Sequence, residues 1–193
     1  MIKEYNFSKD CWNKDDFMYV YSPNCKAFKK FCEESDCIKN EFNNEIDDYD
    51  YLSIVTKEKY SEGVKITTVC SFDSFGAPLI VLSDDITEKD NRLEYILHFE
   101  AVAYENGCNI WHIVPWPERV ERPIKPTKIA FDEFKIEDGS KIELSLEVQH
   151  KKFIVTVNGH KTEVENDDIP QNFHVGITAC EGINRFYSLK LEI

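Results

Sequence analysis

Glycine is scarce. The 193 residues hold only seven, and nowhere do they cluster into a loop that would cradle a phosphate. Nucleotide-dependent chemistry therefore has no foothold in the sequence. Basic side chains are also few, 23 Lys and Arg against 36 Asp and Glu, for a net charge of −13 at pH 7. With no basic stripe, this balance argues against a nucleic-acid backbone or an anionic membrane surface as partner, and the charge serves solubility. No apolar run approaches the roughly 20 residues that a membrane-spanning helix needs. The opening Met1-Ile2-Lys3-Glu4-Tyr5-Asn6-Phe7 lacks the apolar stretch of a secretion signal. Seven cysteines, an odd number, then read as reduced thiols, several of them buried as small hydrophobes. The expected compartment is cytoplasmic.

Helical periodicity is nearly missing too. Ala27–Glu34 has no clear period, and Thr87–Asn91 reads as a single turn at most. What the chain has in quantity is a period of two. Ile142, Leu144, Leu146 and Val148 alternate with polar neighbours, as a half-buried strand requires. Phe153, Val155 and Val157 repeat the pattern and run into Asn158-Gly159, a pair suited to a type I′ hairpin turn. The return strand is His160 to Glu165. A second hairpin is written the same way, with Arg92 to Tyr104, Asn106-Gly107, then Cys108 to Val114. Tyr187, Leu189, Leu191 and Ile193 give a closing strand. Phe17–Tyr21, Tyr49–Thr56, Val64–Phe72 and Pro78–Leu82 supply earlier ones.

About a dozen strands with short polar turns predict an all-β fold, a two-sheet antiparallel β-sandwich. The 42% hydrophobic content is enough for a single domain spanning residues 1–193. Pro115, Pro117, Pro123 and Pro126 mark a crossing loop or a sheet edge, because proline cannot donate to a ladder.

The C-terminal third carries a recognisable pattern. A strand ends in Asn158-Gly159, a turn at Asp167-Asp168-Ile169-Pro170 follows, then Phe173-His174-Val175-Gly176-Ile177, and the chain closes with Phe186-Tyr187-Ser188-Leu189-Lys190-Leu191. This resembles the concanavalin A-like lectin/glucanase superfamily, including its laminin-G-like members. The resemblance implies a jelly roll whose last strand lies near the N-terminus. That superfamily holds lectins, glycosidases, lyases and protein-interaction modules, so fold does not choose a function. The Glu-x-Asp-x-x-Glu strand of its retaining glucanases occurs nowhere here. Glu100 and Glu105 come nearest, and their odd offset puts them on opposite faces of a strand.

The Asn106-Gly107 turn sets a register. A two-residue turn there places Glu105 opposite Cys108, Tyr104 opposite Asn109, Val102 opposite Trp111 and Glu100 opposite Ile113. One ribbon face then carries His98, Glu100, Val102, Tyr104, Asn109 and Trp111; the other carries Phe99, Ala101, Ala103, Ile110, His112 and Val114. The second is core. The first is an aromatic platform flanked by hydrogen-bonding groups, which suits a sugar ring with an apolar C–H face and a polar rim. The plainer alternative is that Trp111 and Tyr104 pack under a loop. Trp116 and Arg119 follow directly, with Glu121 and Arg122, as a candidate rim or, for Trp116, a plug.

The remaining clusters read as structural. Glu181 and Arg185 suit a turn-closing pair. Cys25, Cys32 and Cys37 lack the Cys-x-x-Cys spacing of a zinc knuckle, and the acidic pairs at Asp47-Asp48, Asp84-Asp85 and Asp167-Asp168 fit solvated turns. No metal and no cofactor is expected. The leading expectation is an intracellular lectin-like protein whose partner is a carbohydrate or glycoside. The alternatives are a glycoside hydrolase or lyase on the same groove, and a protein-interaction module.

Overall fold

The computed structural model describes residues 1–23, 29–42, 51–120 and 123–193. They form sixteen strands. The first eight are β1 (Ile2–Asn6), β2 (Phe17–Tyr21), β3 (Cys32–Glu33), β4 (Ile38–Lys39), β5 (Tyr51–Thr56), β6 (Tyr60–Ser61), β7 (Lys65–Asp73) and β8 (Ala77–Lys89). Then come β9 (Arg92–Tyr104), β10 (Gly107–Pro115), β11 (Ile124–Glu133), β12 (Ile142–Gln149), β13 (Lys152–Val157), β14 (His160–Glu165), β15 (Asn172–Cys180) and β16 (Ile183–Glu192). The one helical element among the described residues is a 3-10 turn, Lys14–Asp16, capped by the Asn13 side chain.

Two sheets result. Sheet A runs β14-β13-β12-β7-β16-β4-β3, with β1 antiparallel to β16, so the first and last strands pair as expected. Sheet B runs β11-β10-β9-β8-β15-β5-β2. The inward faces meet in one core. Leu144, Leu146, Phe153, Val155 and Phe186 from sheet A pack on Leu52, Ile54, Phe99, Ile110 and Ile177 from sheet B. Phe99 and Phe153 touch across the gap, edge to face at 5.1 Å. Each fully buried aromatic or branched side chain contributes about 1.5–3 kcal/mol, so this layer carries most of the stability. The fold is an all-β jelly-roll sandwich.

Turn chemistry explains the hairpins. Asn158 and Gly159 both take positive φ, 47° and 89°, and Val157 pairs with His160 as the sequence predicts. The β9–β10 turn differs. Its two loop residues are Glu105 and Asn106, and Tyr104 pairs with Gly107, which carries the positive φ of 132°. A Cβ on Gly107 would also lie 2.0 Å from the Asp132 carbonyl oxygen of β11. The register is therefore displaced by two residues from expectation, and Trp111 faces Glu100. An even displacement preserves the faces. Phe99, Ala101, Ala103, Ile110 and His112 do point into the core layer, where His112 stacks flat on Phe99 at 4.4 Å.

Three further expectations need correction. Thr87–Asn91 is not an isolated turn: β8 continues to Lys89, and Asp90 and Asn91, both at positive φ, make a tight turn into β9. Asp84-Asp85 accordingly lies within β8, at its bulges, and not in a turn. Arg185 pairs with Asp73 rather than Glu181. Cys25, Asp47, Asp48, Glu121 and Arg122 lie outside the described residues.

The extended β8–β9 hairpin has a consequence for shape. Its register shifts between Leu82 and Ile86, where Ser83 Oγ donates to the Leu97 carbonyl at 2.6 Å. Bulges bend a ribbon and sharpen its twist. Here the bent tip crosses the outer face of sheet B and pairs with β2 through a parallel contact, Tyr21 with Glu94. Ile86, Leu93 and Tyr95 thereby join Val20, Tyr51, Val55, Leu79, Val81 and Val102 in a second apolar cluster, outside the sandwich.

Candidate functional site

Beside the folded-over hairpin, the outer face of sheet B keeps a cleft of about 390 Å³. Its floor comes from β8, β9 and β10, with Leu79, Val102, Trp111 and Ile113 as apolar surface. The mouth lies at the strand ends, where Phe75, Glu105, Asn106 and Glu181 gather. All six ribbon residues expected on one face, His98, Glu100, Val102, Tyr104, Asn109 and Trp111, line it.

Their environments differ. Glu100, at the strand centre, accepts a hydrogen bond from the Tyr51 hydroxyl at 2.7 Å, and His98 Nε2 stands 3.2 Å from the same oxygen. These are the partners a part-buried carboxylate requires. His98 was expected on an open face and is instead only 1% exposed. Tyr95 covers it, ring centroid to ring centroid 4.6 Å, and the Tyr95 hydroxyl is held by Ser53 Oγ at 2.6 Å. Burial pushes the Tyr95 phenol well above its ordinary range, so it stays a neutral hydrogen-bonding group. Trp111 is half-buried against the outer cluster, at a register shift between β10 and β11, and Lys128 Nζ lies 5.3 Å from its ring centroid.

Among the described residues, three buried polar atoms on the lining find no hydrogen-bond partner: Ser22 Oγ, His98 Nδ1 and Asn109 Oδ1. Such atoms cost about 1–3 kcal/mol each when left dry, so their grouping in one cleft is informative. Among the described lining residues the charged groups are Glu100, Glu105 and Glu181, with no Lys or Arg. Glu105 reaches the lining despite its odd offset from Glu100 because it sits in the turn, beyond the strand alternation.

Trp116 and Arg119 are not brought into this lining. They pair with each other on the loop after β10, the guanidinium 5.6 Å from the indole centroid, while the Arg119 amide donates to the Trp116 carbonyl. Conversely, Ser22 and Phe75 line the cleft and Tyr51 holds its Glu100 from outside the lining, and all three went unnoticed in the sequence. Phe75 had a readable signal: Ser74-Phe75-Gly76 separates two strands and turns tightly, which leaves the ring 62% exposed at the mouth. Tyr51 and Ser22 had none, since strand order alone brings β5 and the end of β2 to Glu100. Among the described residues no group of three or more His, Cys, Asp or Glu is placed to hold a metal ion.

No family model and no curated protein matches this chain. Solved structures do match in shape. The carbohydrate-binding module CBM66 from Bacillus subtilis superposes with a TM-score of 0.62 at 10% identity, over 89% of this chain and 91% of the module. A glycoside hydrolase family 16 endo-glucanase from Bacteroides ovatus gives 0.62 at 10% identity, over 98% and 99%. The kappa-carrageenase from Pseudoalteromonas carrageenovora gives 0.59 at 6%, over 98% and 92%. The chain has the concanavalin A-like jelly-roll fold that these structures share.

Proposed function

We propose that this protein binds a carbohydrate in the outer-face cleft of sheet B, with Trp111 as the platform for a sugar ring and Glu100, Asn109 and His98 as hydroxyl partners. One observation carries the reading. The cleft combines an aromatic and apolar floor at Trp111, Val102 and Ile113 with polar side chains, among them Glu100, Asn109 and Glu105, and a polyhydroxylated ring with an apolar face suits both. The structural neighbours, a carbohydrate-binding module, an endo-glucanase and a carrageenase, support the same class of ligand. The protein works as a lectin-like binder in the cytoplasm, its cysteines reduced.

Glycan-array screening followed by calorimetry tests this. Trp111→Ala should weaken binding of any hit by about thirtyfold or more, equivalent to about 2 kcal/mol, while the unfolding midpoint shifts little. Unfolding of the variant would make Trp111 a structural residue. An array on which the wild type finds no sugar would favour a protein-interaction module. A second reading, glycoside hydrolysis, draws on Glu105 and Glu100 lining one cleft. Release of reducing ends that Glu100→Gln abolishes while binding persists would establish it.

A further inference from the structure

We infer that the sugar-binding surface continues out of the cleft onto the edge strand β11, where Phe131 stacks on a second unit of the same oligosaccharide and Lys128 donates to its oxygens. The inference rests on the carbohydrate-binding reading and adds a subsite to it. Its basis is an aromatic side chain in an unusual place. Among the described residues, the other large exposed hydrophobics sit at the chain ends or in connecting segments. Phe131 lies inside a ten-residue strand and is 59% exposed. A lone exposed ring is ordinary on a protein surface. This one adjoins a cleft that is floored by another ring.

The strand presents Phe131 there because of a bulge. β11 pairs with β10 through Asn109–Phe131 and Ile110–Ala130, then through Trp111–Lys128, which leaves Ile129 as an extra residue. Strict alternation would send Lys128 and Phe131, three residues apart, to opposite faces. The extra residue returns them to one face, as bulges on edge strands do when they re-aim a side chain. That face is the face of the cleft. Asn109 and Trp111, their cross-strand partners, both line it, and partners directly opposite share a side of the sheet.

Lys128 joins the two rings. Its Nζ lies 5.3 Å from the Trp111 centroid and 5.7 Å from the Phe131 centroid, so a single oligosaccharide can cover both platforms. An ammonium has three donors and no acceptor. Lys128 is exposed, and among the described residues no carboxylate pairs with it, so those donors are available to sugar oxygens. A pyranose over Phe131 would meet the ring through its C–H face and Lys128 through its hydroxyls. The folded hairpin leaves this side open, since it covers β5 and β2 at the other border of sheet B.

Calorimetry on the full chain tests this with gluco-, galacto-, manno- and fructo-oligosaccharides, each from monosaccharide to hexasaccharide. For the series that binds, wild-type affinity should rise by about tenfold from the shortest ligand bound to the hexasaccharide. Phe131→Ala should keep the Kd of that shortest ligand within about twofold and weaken the hexasaccharide by about fivefold or more, with an unchanged urea midpoint. Lys128→Met should weaken the hexasaccharide alone by about threefold, and Phe131→Tyr, which keeps the ring, should retain the gain with length. Equal weakening at every length, no loss on the hexasaccharide, or a lowered midpoint for Phe131→Ala overturns the second subsite and leaves carbohydrate binding standing. A wild type that binds no member of any series overturns both.

Discussion

Strands β13 and β5 have six residues each, yet they live in different surroundings. In β13 burial alternates, with Phe153, Val155 and Val157 in the core and Lys152, Ile154 and Thr156 on the outer face of sheet A. In β5 all six residues, Tyr51 to Thr56, are buried. The first strand is covered on one side and faces water on the other; the second is covered on both. Sheet A thus presents a solvated face laced with surface pairs such as Lys161–Glu163 and Lys190–Glu192, which contribute little. Sheet B presents a second apolar layer and, next to it, the cleft. Unbroken burial along a strand of an antiparallel sheet is the mark of a cover on its outer side. In this protein the cover is the hairpin beside the cleft.

Substitutions can break or sharpen that contrast. The largest effect belongs to the layer that both sheets share: Phe99→Ala should cost about 3–5 kcal/mol in urea denaturation, since it opens a cavity between Phe153 and His112. Next comes a matched pair on the two outer faces. Val81→Ala, under the hairpin, should cost about 2 kcal/mol, while Thr156→Ala, on the outer face of sheet A, should cost under about 0.5 kcal/mol. Equal costs would erase the distinction between the faces.

The smallest effect is on pH dependence. Burial, the leading cause, holds the His112 and His174 imidazoles below the ordinary 6.5. The unfolded chain then takes up these protons before the folded one does. Their contribution to stability is complete above about pH 6.5 and is lost as pH falls below it. Urea midpoints from pH 7 down to pH 5 should decline, and His112→Phe should make the decline shallower.

The sandwich was legible because its strands are amphipathic. Period two, the Asn158-Gly159 turn and the closing strand all arise from local physics, and residues 142–165 fold much as they read. The hairpin tip was not legible. Ser83-Asp84-Asp85-Ile86-Thr87-Glu88-Lys89 is polar and looks like a turn, and it is a strand because residues 92–97 pair with it and Ile86 reaches the outer cluster. The unbroken apolar run Leu79-Ile80-Val81-Leu82 was the available hint of a strand covered on both sides. At the site, side-chain parity survived a register error of two residues, so the lining members of the ribbon were found. The burial of His98 was hidden because it depends on Tyr95, which belongs to the part of β9 that crosses the sheet. Trp116 and Arg119 were placed by sequence proximity, and they satisfy each other instead.

The two outermost strands at one side of the sandwich, β11 and β14, share a property beyond their position. β14 carries His160, Lys161, Glu163 and Glu165, and β11 carries Lys125, Pro126 and Lys128. Unpaired strand borders are templates for docking another chain, and charge and proline on the border discourage such pairing. In a protein this rich in β-structure, that placement disfavours edge-to-edge pairing between neighbouring copies at the side where both sheets end.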